Sequence, residues 1–84
     1  MATKTVQIKG MDYIPDPIEI EAGDSVAWTN ASSMRHTASG DGWSTGDIKP
    51  NTTSQPIAFK QAGTFNYGCD YHAEMSGTVK VAAK

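Results

Sequence analysis

The sequence has 84 residues and a formal net charge of -2 at pH 7, so we expect one domain, residues 1–84, around a small core. Acidic and basic side chains are scattered along it, which excludes the basic stripe of a nucleic-acid-binding domain. No apolar run reaches the roughly 18 residues that cross a bilayer, so we expect no stable membrane insertion. The single cysteine excludes an internal disulfide bond.

The first third of the chain alternates between apolar and polar residues. This period of two predicts strands over residues 4–9, 18–21 and 26–30. Between the first two strands lies a segment, residues 11–16 followed by Pro17, that also contains Pro15. A proline has no N–H to donate to a sheet ladder. We therefore expect an irregular edge segment there.

The middle of the chain, residues 31–52, is rich in Ser, Gly, Asp, Asn and Thr and has no periodicity. A loop region of this length inside a compact domain is usually functional or disordered. Alternation then returns around Ile57 and Phe59, over residues 64–69, and around Val79 and Val81 in a last strand. No stretch has helical periodicity. Short strands separated by turns predict an all-β protein, a two-sheet sandwich or a barrel.

Three potential metal ligands, Cys69, His72 and Met75, lie three residues apart just after the predicted strand over residues 64–69. A thiolate, an imidazole and a thioether suit a soft or borderline metal, above all copper. The chain has one other imidazole, His36, in the long loop region. Two His, one Cys and a weak axial Met form the ligand set of an electron-transfer copper site. Cys69 shares the parity of Tyr67, so its sulfur is expected to point into the sandwich.

Taken singly, each of these residues has an ordinary interpretation, since Cys and Met are often buried hydrophobic residues. Two other classes of function compete with an electron carrier. A copper delivery or storage module would use exposed clusters of Met or Cys, whereas the remaining methionines are spread along this chain. A thiol enzyme would use Cys69 with His72 or His36 as base, but it needs an accessible thiol. Nothing resembles a Ser-His-Asp set, so we do not expect an enzyme.

Two sequence patterns point to a known family. The pattern in the N-terminal half is Tyr13-x-Pro15-x2-Ile18-x-Ile20-x2-Gly23-Asp24-x-Val26-x-Trp28-x-Asn30. The pattern in the C-terminal half is Gly63-Thr64-Phe65-x-Tyr67-x-Cys69-x2-His72-x2-Met75-x-Gly77-x-Val79-x-Val81. Over nearly its whole length the chain resembles the cupredoxins of the plastocyanin and amicyanin type. The spacing of His72 and Met75 is most similar to that of the amicyanins.

The resemblance implies a Greek-key β-sandwich of about seven to eight strands. It implies one type 1 copper ion per chain, held by His36, Cys69 and His72, with Met75 as axial ligand. The implied function is a small soluble electron carrier that works between redox partner proteins, which dock near His72, and the implied state is a monomer. The implied location is periplasmic or otherwise extracytoplasmic. From the residues alone we expect no secretory signal in the sequence as given, because Met1-Ala2-Thr3-Lys4 leads directly into a strand.

The chain departs from the family pattern next to both histidines. Arg35 stands where the family often has Pro before its first copper His, and Thr37 stands where it often has Asn after it. Tyr71 stands where the family often has Pro before its second His. Unlike Pro, Tyr71 has a backbone N–H, and hydrogen bonds to the copper-binding sulfur tune such sites. The sequence leaves open what effect this N–H has on the site.

Overall fold

The computed structural model describes residues 2–84, and these residues form two β-sheets. The strands, in chain order, are β1 (Thr3–Lys9), β2 (Asp12–Ile14), β3 (Ile18–Glu21), β4 (Ser25–Asn30), β5 (Ser39–Gly40), β6 (Trp43–Ser44), β7 (Ile57–Ala58), β8 (Gly63–Gly68) and β9 (Ser76–Ala82). Within the described range no helix is long and apolar enough to cross a membrane.

The two sheets are of mixed direction. The first has the order β2-β1-β4-β7 and the second has the order β3-β9-β8-β5-β6. The pairs β1/β4 and β3/β9 are parallel, and the other neighbours are antiparallel. The chain therefore passes repeatedly from one sheet to the other, and loops from both sheets meet at each end of the sandwich.

The core consists of the inward-facing residues of both sheets. Alternate residues are buried in β1 and β3, as the alternation in the sequence predicts. Trp28 is fully buried at the centre, where it stacks on Trp43 at 5.6 Å between ring centroids and meets the Tyr67 ring edge-on at 5.3 Å. Burying each large apolar side chain stabilises the fold by about 1.5–3 kcal/mol, so this aromatic group holds the two sheets together.

The prediction of an all-β sandwich is confirmed, but the strand count is nine rather than seven to eight. The additional pairings are the two-residue strands β5 and β6, which lie in the unperiodic region and are too short to produce alternation. The predicted edge segment contains β2, which ends before Pro15. The strand expected around Ile57 and Phe59 ends at Ala58. The Phe59 N–H still donates to the Asp24 carbonyl in register with β4, but the Asp24 N–H donates to the Glu21 carbonyl, so the return bond that would extend the ladder is not made.

Candidate metal centre

His36 is fixed through its backbone. Its N–H donates to the Ile48 carbonyl at 3.3 Å, and the Ile48 N–H donates to the His36 carbonyl at 2.7 Å. The buried amide of Asn30 donates to the carbonyls of Met34 and Ile48, at 2.7 and 2.8 Å. His36 is itself fully buried. The Asn30 side chain, at the end of β4, thus holds both backbone segments of the His36–Ile48 pairing. Because His36 is also buried, its imidazole has little room to move.

Cys69 follows directly after β8, and its side chain is only 7% exposed. The chain then turns twice. The His72 N–H donates to the Cys69 carbonyl at 3.4 Å, and the Met75 N–H donates to the His72 carbonyl at 3.0 Å. The first turn folds His72 back beside Cys69. The second returns the chain to the core, where Met75 is 3% exposed, before β9 begins.

The three strongest potential ligands meet between these two segments. Cys69 Sγ lies 3.8 Å from His36 Nδ1 and 3.5 Å from His72 Nδ1. The potential ligand atoms of all three residues lie within 4.8 Å of one another. If one ion binds a sulfur and a nitrogen at about 2.0–2.3 Å, these atoms are about 3.6–3.8 Å apart at tetrahedral to trigonal angles. The two Sγ–Nδ1 distances therefore fit a single shared ion.

Burial keeps His36 ready to bind a metal. Burial lowers the pKa of His36, the nearby His72 lowers it further, and the Gly10 backbone opposes these effects. The imidazole is therefore neutral at neutral pH, which is the form that binds metals. With Nδ1 facing the sulfur, Nε2 is left to carry the proton, and it is buried on the side away from the sulfur. The Gly10 backbone acts on the ring, but among residues 2–84 no acceptor makes a hydrogen bond of good geometry with Nε2.

The sulfur accepts a hydrogen bond from a backbone N–H, and this N–H is not that of Tyr71. The Thr37 N–H donates to Cys69 Sγ at 3.4 Å, and the Thr37 hydroxyl accepts the Asp70 N–H at 2.9 Å. Within the described chain, Tyr71 makes no backbone hydrogen bond to this sulfur; instead its phenol donates to Asp47. Thr37, and not Tyr71, thus occupies the backbone donor position at the sulfur. An N–H directed at the sulfur tunes a metal bound there.

The donor set fits one type 1 copper ion. Two imidazoles and one thiolate meet in a mostly buried site, and Met75 lies in the core at the end of the same loop. His72 is the least buried of the four, because it lies at the tip of the loop. Soft sulfur with imidazole favours copper over Mg²⁺ or Ca²⁺, which prefer oxygen ligands. The four residues singled out in the sequence thus lie at one end of the sandwich.

Few of the residues that support this site can be recognised from the sequence. Asn30 belongs to the N-terminal pattern, but its role depends on contacts with backbone up to 18 residues away. Thr37 contacts Asp70 across 33 residues of sequence, and Tyr71 contacts Asp47 across 24. Contacts between such distant side chains leave no periodic signal in one sequence.

A profile of "Copper binding proteins, plastocyanin/azurin family" matches residues 1–82. The amicyanin of Paracoccus versutus is 30% identical over 82 residues, covering 90% of this chain and 62% of that protein. Amicyanin-alpha of Methylorubrum extorquens is 30% identical over 82 residues, covering 90% of this chain and 69% of that protein. The chain thus spans less than two thirds of the first relative. The crystal structure of Paracoccus versutus amicyanin superposes with a TM-score of 0.82 at 29% identity, over 94% of this chain and 80% of that one.

Proposed function

Since the chain belongs to the plastocyanin/azurin family of copper-binding proteins, we propose that it is a small electron carrier and not an enzyme. One copper ion per chain would be held by His36, Cys69 and His72, with Met75 as a weak axial ligand. The observation that carries this proposal is the convergence of two imidazole nitrogens on one buried sulfur, at 3.5 and 3.8 Å.

A bound copper ion would supply the reversible uptake of one electron. The protein's contribution is to restrict how far its ligands move. His36 is held by the pairing with Ile48, and Cys69 is held by β8 and by the Thr37 N–H. Because these ligands come from two separately anchored segments, neither oxidation state can impose its preferred geometry on them. Such restraint favours rapid electron exchange.

The burial of the site supports a carrier over the two competing functions. Cys69, His36 and Met75 are all buried, whereas delivery of copper to another protein would need ligands that an acceptor can reach. The same burial argues against a thiol enzyme, because a nucleophilic cysteine has to meet its substrate.

The finer parts of the proposal concern the surroundings of the protein. Among the four proposed ligands His72 is the least buried, so we place the exit and entry of electrons there, with redox partner proteins docking around it. Residues 1–84 are proposed to act as one monomeric domain in a periplasmic or other extracytoplasmic compartment.

A copper titration tests the proposal. Cu(II) added to the metal-free protein is expected to saturate at one ion per chain and to produce an intense visible thiolate-to-copper band. Ascorbate should bleach the band and ferricyanide should restore it over repeated cycles. Copper should also protect Cys69 from alkylation. Binding without reversible bleaching would favour a delivery or storage module, and alkylation that is equally fast with copper would remove Cys69 from the site.

A further inference from the structure

Three exposed side chains connect the two segments that carry the proposed ligands. The Tyr71 hydroxyl donates to Asp47 Oδ1 at 2.6 Å. Arg35 Nη1 lies 3.5 Å from Asp47 Oδ2, and the Arg35 guanidinium carbon lies 5.9 Å from the centre of the Tyr71 ring. Arg35 is adjacent to His36, Asp47 is adjacent to Ile48, and Tyr71 is adjacent to His72. This cluster therefore joins the neighbours of both histidines.

We propose that Tyr71, Asp47 and Arg35 form a latch that positions His72 beside Cys69 before any metal binds. That the latch serves metal binding rests on the proposed function. The three contacts of the latch, however, are present in the protein without metal. Tyr71 is a positioning residue in this proposal, because it acts on the site only through the backbone of the loop.

The latch matters because the rest of the loop has few contacts with the His36 side. On one side of His72, Asp70 is held by hydrogen bonds with Thr37 and Ser39. On the other side, Met75 is buried in the core. Between these points the His72 N–H makes only a long bond of 3.4 Å to the Cys69 carbonyl. Tyr71 thus supplies the attachment that lies next to His72.

The three contacts differ in strength. The Arg35–Asp47 pair is exposed and contributes little by itself. The bond from Tyr71 to Asp47 is short and has a charged acceptor, which makes it stronger than a neutral hydrogen bond. Arg35 contacts both partners, so it restricts the directions in which the Asp47 carboxylate can turn. Tyr71 is 51% exposed, but it has only two side-chain torsions to immobilise, which keeps the entropy loss small.

Two consequences follow. In the metal-free protein the loop is ordered on folding, so less ordering remains for the metal-binding step, as in other preorganised sites. In the copper-loaded protein, release of the metal has to begin at the loop, because His36 is enclosed by the fold. A latch on the loop therefore slows copper release.

Amide hydrogen exchange in the metal-free protein tests the latch directly. The reporters are the N–H groups of His72 and Met75, which close the two turns of the loop. With Tyr71→Phe or Asp47→Ala, exchange at both is expected to be about fivefold faster, the factor that corresponds to one net hydrogen bond. The double variant should be no faster than either single variant. Asp41→Ala is the matched control, because it removes a carboxylate from the neighbouring β5–β6 turn without touching Tyr71.

Copper release supplies a second readout. Loaded protein is mixed with excess EDTA, and the decay of the thiolate-to-copper band is followed. Decay should be about fivefold faster in Tyr71→Phe than in the wild type and unchanged in Asp41→Ala. Unchanged exchange in Tyr71→Phe, or effects of Tyr71→Phe and Asp47→Ala that add in the double variant, would overturn the latch. Absence of any band in the wild type would instead refute the proposed function, while the exchange experiment still tests the latch.

Discussion

The two ends of the sandwich are closed in different ways. At the end away from the proposed ligands, main chain bonds to main chain. The Ser25 N–H donates to the Ala2 carbonyl at 2.8 Å, and the Gly23 N–H donates to the Phe59 carbonyl at 2.8 Å. The Ala22 N–H donates to the Ala82 carbonyl at 2.9 Å. One carboxylate, that of Asp24, completes this closure.

At the ligand end, side chains make many of the connections in addition to the backbone pairing of His36 with Ile48. Asn30 holds the two backbone segments beside His36, Thr37 holds Asp70, and Tyr71 holds Asp47. Main-chain bonds survive most substitutions, whereas side-chain bonds depend on residue identity. Substitutions at the ligand end should therefore change metal binding, and substitutions at the far end should change stability alone.

The largest expected effect is that of Cys69→Ser at the ligand end. The visible band requires a thiolate, so this variant should lose the band completely while remaining folded, because Ser is close to Cys in size. The measurements are the visible spectrum after addition of Cu(II) and the far-ultraviolet circular dichroism. A Ser variant that keeps the colour would show that Cys69 is not the sulfur ligand.

The next largest effect is expected for Asn30→Ala, because the Asn30 side chain links the end of β4 to the backbone segments beside His36. It removes the amide that donates to the carbonyls of Met34 and Ile48, which keep only longer hydrogen bonds from the Ser32 hydroxyl and the His36 N–H. The loss of these two hydrogen bonds should destabilise the metal-free protein by about 2 kcal/mol. Urea unfolding measures this loss. Asn66→Ala is the matched control, since Asn66 is exposed in β8 and makes one hydrogen bond to Thr78. A similar loss in both variants would mean that the buried contacts of Asn30 carry no special weight.

Sequence patterns predicted the features that depend on neighbouring residues, namely the main strands and the ligand loop. They missed the contacts between side chains that are far apart in the sequence. Alternation placed the main strands to within a few residues, and the parity of Cys69 agreed with its burial. The spacing of the ligand loop singled out residues that the structure brings together. By contrast, the two-residue strands β5 and β6 carry no periodic pattern. The roles of Thr37 and Asp47 arise only when loops far apart in sequence meet.

Substitution of Met75 should alter the potential while copper stays bound. Met75→Gln offers a harder oxygen donor that favours Cu(II), so the reduction potential should fall. Met75→Leu removes the donor, so the potential should rise. A tenfold change in the relative affinity for the two oxidation states corresponds to about 59 mV, which sets the scale. Voltammetry on all three proteins checks the direction. Identical potentials would remove Met75 from the set of ligands.

The smallest effect is expected at the far end, where Asp24 accepts hydrogen bonds from two backbone groups. Its Oδ1 accepts the Ala2 N–H at 3.0 Å, and its Oδ2 accepts the Glu21 N–H at 3.1 Å. The hydrogen bond from Glu21, followed by that from Ala2, lowers the pKa of the Asp24 carboxyl. In the unfolded chain these bonds are absent, and an aspartate titrates near about 3.9.

The sign of the pH dependence follows from this difference. Well above the unfolded-state pKa of about 3.9 the carboxylate is charged in both states, and the folded protein gains the full stabilisation from its two hydrogen bonds. As the pH falls below that value, the unfolded chain takes up the proton first, so the stabilisation decreases and is lost below the lowered pKa of the folded state. Asp24→Asn cannot titrate, so its stability deficit relative to the wild type should be largest at neutral pH and should shrink as the pH falls below the unfolded-state pKa of about 3.9. Urea unfolding of both metal-free proteins across this range measures the deficit.

The visible band and the potential of the copper-loaded variant at neutral pH should match the wild type, because no ligand is attached to this end. A deficit that stays constant with pH would refute the role of the Asp24 charge, and an altered band would show that the two ends are not independent.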